Sequence, residues 1–223
     1  MTAVPAVGAT QLLFIRHGET DWNRQQRFQG QIDVPLNDTG HAQAARLGLR
    51  LADEPFDLLL SSDLTRAQQT AEPLARAWGL QPLQLPGLRE QHFGEWEGLD
   101  VPTIKLRHGA LWPQWLQHDG DFALAGGGES LRQFHTRVMA AVQQVVASHP
   151  GRRVALVTHG GVLDMLWRQA QGLPISGLRT CDIPNTGLNH LRWVGERLLI
   201  DSWGDAGHLA GLPEQASTVA GER

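Results

Sequence analysis

Two short apolar runs in this chain each end in a histidine followed by glycine. Leu12 to Ile15 run into Arg16-His17-Gly18, and Val154 to Val157 run into Thr158-His159-Gly160-Gly161. A neutral imidazole can attack phosphorus, and a backbone carbonyl on its other nitrogen would fix the tautomer that does so. His17 is the candidate nucleophile. A phosphate dianion held away from bulk water needs charge-assisted donors, which arginine's planar fork supplies in pairs. Arg16 and Arg66 follow apolar runs and are the candidates. A departing alkoxide needs a proton, so a carboxylic acid beside the phosphate would complete the set. Glu90 and Glu95 both stand in a polar, glycine-marked loop from which that acid could come.

These side chains need elements to hold them. Continuous apolar runs this short suit strands buried on both faces of a parallel sheet, and ligands of open α/β sheets gather beyond the carboxyl ends of such strands. Both histidines then face one crevice if the two strands are neighbours. Gly18 is expected to let the backbone approach a bound group closely. The polar stretch from Asn23 to Leu36 lacks helical periodicity and is expected to cover the site as a loop. Asn37 to Leu51 offers capping residues and then Ala44, Leu47 and Leu51 at helical spacing. Phe56 to Leu60 reads as a second buried strand, Ser61 to Ala71 opens a helix, and Leu83 to Leu85 form a short strand.

Between Val101 and Phe122, Trp112 and Trp115 stand three apart among charges, a spacing that favours packing within a helical insertion over gripping a substrate. Gly126 to Gly128 imitate a phosphate loop, but no Gly-Lys-Ser/Thr follows, so they read as a hinge or turn. Leu131 to Ser148 repeat apolar residues on one helical face, the helix after His159 runs to about Gln171, and Gly195-Glu196 joins a hairpin expected at a sheet edge. The fold expected is a three-layer α/β/α arrangement with a mainly parallel central sheet and a small helical insertion over its carboxyl edge. Residues 1–10 are expected to be flexible, 11–209 to form one domain with the insertion at about 99–127, and 210–223 to be a disordered tail.

The 223 residues suit a single core. A 41% hydrophobic content and a net charge of −4 lack the basic excess that favours nucleic acid or an anionic membrane. Cys181 is the only cysteine, so no intrachain disulfide can form. Met1 to Thr10 lack the basic start and apolar core of a signal peptide, and no apolar run approaches the ~20 residues of a membrane span. A cytoplasmic protein with a small-molecule partner is expected, with homodimerisation through the edge hairpin as the suggested assembly. His41, His92, His108, His118, His135 and His149 show no ligand-like spacing and read as surface or loop residues.

The motifs in succession resemble the histidine phosphatase superfamily, with its phosphoglycerate-mutase-like fold. Arg16-His17-Gly18-Glu19-Thr20 with Trp22-Asn23 matches the family signature, continued by Arg27-Phe28-Gln29-Gly30 and Asp33-Val34-Pro35-Leu36. Ser61 to Ala71, Phe93 to Gly98, Gly127 to Ser130 and Thr158 to Gly161 follow in family order. The resemblance spans roughly Leu12 to Leu209. It implies His17 as the phosphorylated nucleophile, Arg16, Arg66 and His159 as the phosphate pocket, and Glu90 as proton donor and then base. It implies no metal and no cofactor. Asn23 matches a phosphate-contacting position, although its side chain could instead stabilise its own turn. Gln29, Gly30 and Gly160 complete the substrate-binding candidates.

Within the superfamily, cofactor-dependent mutases carry Phe-Thr-Gly-Trp where this chain has Phe28-Gln29-Gly30-Gln31. They also bring an arginine pair in the insertion to hold a carboxylate, where this insertion has Lys105 and Arg107. The expectation is therefore a metal-independent phosphatase acting on a small phosphorylated metabolite through phospho-His17. A phosphoglycerate mutase and a catalytically silent phosphate-binding module are the alternatives. Ile183 to Gly187 and Gly204 to Leu209 resemble the phosphatase branch's closing motifs, with Gly204 where asparagine is usual. Substrate choice is expected to lie in the loop around Gln29 and in the insertion.

Overall fold

The computed structural model describes residues 8–213. Six strands form one sheet: β1 (Thr10–Arg16), β2 (Leu58–Ser61), β3 (Leu83–Gln84), β4 (Arg153–Thr158), β5 (Leu188–Val194) and β6 (Arg197–Asp205). Their spatial order is β3-β2-β4-β1-β5-β6. β3, β2, β4 and β1 run parallel, while β5 and β6 form the antiparallel hairpin that ends the sheet. The two strands expected to share a crevice are direct neighbours, with Arg16 paired to Thr158. His17 and His159 therefore leave the sheet side by side.

Alternation within the two central strands explains why their sequences read as unbroken apolar runs. Leu12, Phe14, Val154 and Leu156 face one layer, formed by α6 (Leu131–Ser148) and α7 (Gly160–Gln171). Leu13, Ile15, Ala155 and Val157 face the other, formed by α2 (Asp38–Arg50) and α3 (Thr65–Trp78). Both faces are covered, which is the condition that removes polar residues from a parallel strand. α2 starts where Asn37 Oδ1 accepts from Gly40 N at 2.8 Å, and α6 starts on a reciprocal capping box between Ser130 and Gln133.

The short α1 (Asp21–Arg24) begins the loop after β1, and α4 (Val101–Arg107) and α5 (Trp112–Trp115) form the insertion. A third apolar cluster lies here, built from Phe28, Phe93, Trp96, Ile104, Trp112, Trp115 and Leu124. The two tryptophans pack, as their spacing indicated. Burying each large side chain contributes ~1.5–3 kcal/mol, and in this cluster that energy fastens the loop around Phe28 and the loop around Phe93 to the insertion. Backbone bonds from Phe28 N to Leu99 O and from Gly98 N to Phe28 O complete the seam.

β2 starts at Leu58, later than the apolar run, because Phe56 turns off the strand to pack on Trp78. Thr10 already belongs to β1, so only residues 1–7 of the expected flexible start, and 214–223 of the expected tail, lie outside the described residues. No helix among the described residues is long and apolar enough to cross a membrane.

Candidate active site

Beyond the carboxyl ends of β1 and β4, His17 is 3% exposed and its Nδ1 lies 2.7 Å from Gly18 O. A carbonyl can only accept, so Nδ1 carries the hydrogen and Nε2 keeps its lone pair. Burial, followed by the charges of Arg66 and Arg16, holds the His17 pKa well below the usual histidine value. The ring is thus neutral at physiological pH. The backbone that carries it is fixed from the far side: Asn185 Nδ2 donates to His17 O at 2.8 Å, and Thr186 N donates to Arg16 O at 3.0 Å. Thr186 does so with φ of +52°, a left-handed conformation uncommon for a β-branched residue, and its hydroxyl lies 3.1 Å from His208 Nε2.

Arg66 sits in the first turn of α3, whose N-terminus is closed by Asp33 accepting from Thr65 N at 2.7 Å. Its guanidinium is completely buried and donates to Gly30 O, Ile32 O and His159 Nδ1. Burial lowers its pKa to about 10, so it stays charged at neutral pH. Because Arg66 Nε can only donate, His159 Nδ1 accepts and His159 Nε2 donates to Ser62 Oγ at 2.8 Å. Burial and Arg66 keep His159 neutral as well. The His17 and His159 ring centroids are 5.2 Å apart. Arg16 donates to Ile183 O and, with Arg179, flanks the position a side chain on Gly160 would take.

Glu90 is delivered to the same place by a different mechanism. Its Oε2 accepts from Gly161 N at 3.0 Å and its Oε1 from Gln91 N at 2.9 Å, so the carboxyl group closes the first turn of α7 from outside. A Cβ at 161 would meet Glu90 Oε1, so a side chain there would displace the carboxyl group from this position. Arg137 on α6 grips Glu129 through two 2.7 Å contacts and donates to the carbonyls of Gly87, Arg89 and Glu90, which locks the loop carrying Glu90. Glu95 is exposed and takes no part.

The remaining candidates have more structural employment. Asn23 Oδ1 accepts from Thr20 N and Thr20 Oγ1, which is the turn-stabilising role. Gln29 is buried with its Oε1 on Thr20 Oγ1, and Gly30 supplies a carbonyl to Arg66. Gly18 departs from expectation. The room a Cβ would need is taken by the Gly40 carbonyl at 2.7 Å, so Gly18 permits α2 to approach the loop. His118, read from sequence as a surface or loop residue, is half-buried and lines a cavity of about 60 Å³. Lys105, instead of facing the site, lies over the Trp112 ring.

Sequence reasoning missed Ser62, Arg137, Asn185 and Arg179 as parts of the site. Ser62 and Asn185 lie within motifs but act through partners 97 and 168 residues away, and Arg137 reaches carbonyls 47 to 50 residues away; Arg168 was missed although its partners lie within ten residues. Buried on α7, it donates to Asp164 and to the carbonyls of Pro174, Ser176, Gly177 and Leu178, shaping the loop that delivers Arg179. The arrangement places a neutral imidazole among guanidinium groups, with a carboxyl group at the adjoining helix start. This is a set able to transfer a phosphoryl group to nitrogen and protonate the departing oxygen. Among the described residues no three His, Cys, Asp or Glu side chains are grouped to hold a metal ion.

A family model described as "Histidine phosphatase superfamily (branch 1)" matches residues 12–206. The chain is 36% identical over 220 residues to phosphoglycerate mutase-like protein 4 of Arabidopsis thaliana, covering 97% of this chain and 94% of that protein. It is 34% identical over 205 residues to the metal-independent phosphoserine phosphatase of the same plant, covering 91% and 84%. The solved complex of a mycobacterial glucosyl-3-phosphoglycerate phosphatase with inorganic phosphate superimposes with a TM-score of 0.73 at 31% identity, covering 91% of this chain and 100% of that one.

Proposed function

Since the chain belongs to the histidine phosphatase superfamily, we propose that it is a phosphomonoesterase in which His17 is phosphorylated and Glu90 moves the protons. The observation that carries this reading is the state of His17: neutral, its tautomer set by Gly18 O, and its Nε2 left as a nucleophile beside Arg16 and Arg66. Nε2 attacks phosphorus in line with the ester oxygen, the P–O bond breaks, and Glu90 gives its proton to the leaving oxygen. Glu90 then takes a proton from water as that water attacks phospho-His17, releasing inorganic phosphate and restoring the ring. Arg16 and Arg66 face charge already in place before the reaction, so little reorganisation is needed. His159 holds the Arg66 fork in register, and Asn185 holds the backbone of His17.

Hydrolysis is favoured over intramolecular transfer because the insertion brings no arginine pair to the site. Lys105 and Arg107 are exposed, and neither lines the cavity beside Glu90. The mutase reading keeps the support of relatives' names, the plant protein at 36% identity and bacterial proteins named probable phosphoglycerate mutase at 31–32%. Both are tested together. The wild-type protein is expected to release phosphate from small monoesters in chelator and to leave a labile phosphohistidine on His17. His17→Ala is expected to lose at least ~10³-fold in kcat/KM with no labelled protein. Interconversion of 3- and 2-phosphoglycerate faster than phosphate release would establish the mutase instead. Full activity in His17→Ala would end both readings.

A further inference from the structure

Two segments late in the chain carry none of the reacting groups, yet their hydrogen bonds converge on the strand end that does. The first is residues 182–189. Ile183 O accepts from Arg16 Nη1 at 2.6 Å, Asn185 Nδ2 donates to His17 O at 2.8 Å, Thr186 N donates to Arg16 O at 3.0 Å, and Asn189 Nδ2 donates to Phe14 O at 3.1 Å. These bonds hold the backbone at Phe14, Arg16 and His17 together with one arm of the Arg16 guanidinium. Asn185, Thr186 and Asn189 are at most 2% exposed, so water does not stand in for them.

The second segment, residues 203–208, grips the first. Trp203 Nε1 donates to Asp182 O at 2.9 Å, Gly204 N donates to Asn189 Oδ1 at 2.9 Å, and His208 Nε2 lies 3.1 Å from Thr186 Oγ1. The third contact differs from the other two because of what it holds. Thr186 stands at φ of +52°, a conformation a β-branched residue keeps only where its surroundings impose it. Burial lowers the His208 pKa, so the ring is neutral, and its Nδ1 is buried without a hydrogen-bond partner. A buried N–H left unpaired is rarer than a bare acceptor, which puts the hydrogen on Nε2. His208 then donates and Thr186 Oγ1 accepts, and among the described residues this is the ring's only hydrogen bond.

We propose that His208 is a positioning residue for phosphoryl transfer: by holding Thr186 in its left-handed conformation it keeps Thr186 N on Arg16 O, and so sets Arg16 and His17 on the phosphorus. This rests on the phosphatase reading of the preceding section. Its consequence is selective. Arg66 and His159 are held separately, by Gly30 O, Ile32 O and Ser62, so a bound phosphate keeps most of its partners when His208 is lost. The transition state needs the His17 ring in line and the Arg16 fork in place at once, so a small shift of their shared peptide weakens it far more than the ground state.

The test compares His208→Ala, His208→Asn and His208→Gln. The Gln amide reaches the place of the histidine Nε2, whereas the Asn amide reaches only that of Nδ1. For Ala and Asn, kcat/KM on p-nitrophenyl phosphate is expected to fall ~10-fold, the scale of one net hydrogen bond. Inhibition by orthovanadate, which adopts the geometry of the transition state, should weaken in the same proportion, while inhibition by inorganic phosphate stays within about twofold. Gln should restore both to within about threefold of the wild type. Thr186→Val removes the hydroxyl at nearly constant shape and should reproduce the losses of His208→Ala, with the double variant losing no more than either single one. Phosphate and vanadate inhibition weakening together, with Gln no better than Asn, would reduce His208 to a brace of the fold and overturn the proposal. Additive losses in the double variant, or unimpaired variants beside an active wild type, would overturn it and leave the phosphatase reading standing. A wild type that neither cleaves the ester nor binds vanadate would overturn the phosphatase reading and this proposal with it.

Discussion

The two ends of the site are built on opposite plans. At the phosphate end, His17 and His159 extend directly from neighbouring central strands and Arg66 from the first turn of a helix, and every one of them is buried and hydrogen-bonded. At the leaving-group end, in the cavity beside Glu90, the walls are largely aromatic and aliphatic side chains of an insertion and a loop, held by a tryptophan cluster and by one internal arginine. The difference separates chemistry from choice. On the proposed function, groups that must stand within tenths of an ångström of a reacting phosphorus sit at the ends of the sheet, whereas groups that line the approach sit on an insertion and a loop.

Glu90 lies on the border between the two ends, which makes it the sharpest probe of that division. Glu90→Gln keeps the size and one acceptor oxygen but cannot give up a proton. With an alkyl phosphate, whose leaving oxygen needs that proton, the expected loss in kcat is ~10²–10⁴-fold. With p-nitrophenyl phosphate, whose anion leaves unaided, the loss should stay within about tenfold, the part due to one weakened bond to Gly161 N or Gln91 N. Steady-state rates on the two esters suffice. Equal losses on both would mean that Glu90 only shapes the loop, and the acid would have to be sought elsewhere.

Arg168 probes the leaving-group end and, through the placement of Arg179, its border with Arg16. Its five donors satisfy Asp164 and four loop carbonyls, a pattern that lysine's three donors cannot reproduce. Arg168→Lys should leave the phosphate end intact while the 173–179 loop loosens, raising KM for the preferred ester ~10-fold with kcat within about twofold. A parallel fall in kcat and in phosphate exchange would show that the two ends are not separable.

This division also explains what could be read in the sequence. The phosphate end was legible because its positioning is local: an apolar run, a histidine and a glycine are contiguous, and a helix start follows its strand within a few residues. The hairpin, the long capped helix Leu131–Ser148 and the packing role of Trp112 and Trp115 were legible for the same reason. Residue type and spacing left Glu90 and Glu95 both open and only the family resemblance chose Glu90, since the choice depends on which carboxylate reaches Gly161 N across 71 positions. Arg137 and Arg168 were invisible, because an internal arginine that collects carbonyls looks like any charged helix residue until the loops it serves are placed. His118 lies in a loop, as read, but its partial burial was not legible, because α7 and the 173–179 loop create it and its own neighbours carry no reference to them.

The smallest effect separates the two ends by acid. His17 and His159 are held neutral in the folded protein, by burial first and by Arg66 second, so their folded pKa values lie well below 6.5. The unfolded chain binds those protons near pH 6.5 and the folded chain does not. Stability is therefore full above that pH and falls as the solution is acidified, by about 1.4 kcal/mol per pH unit for each such histidine. His118 also has its pKa lowered by burial, but it is only half-buried and contributes less. Urea unfolding of the wild type and of His17→Gln at pH 7, 6 and 5 isolates one histidine, because carboxylates that titrate in the same range are common to both and cancel in the difference. The variant should lose stability more slowly on acidification, by about 1.4 kcal/mol per unit. Parallel lines would mean that His17 accepts a proton while folded, and a protonated His17 would have no lone pair for phosphorus.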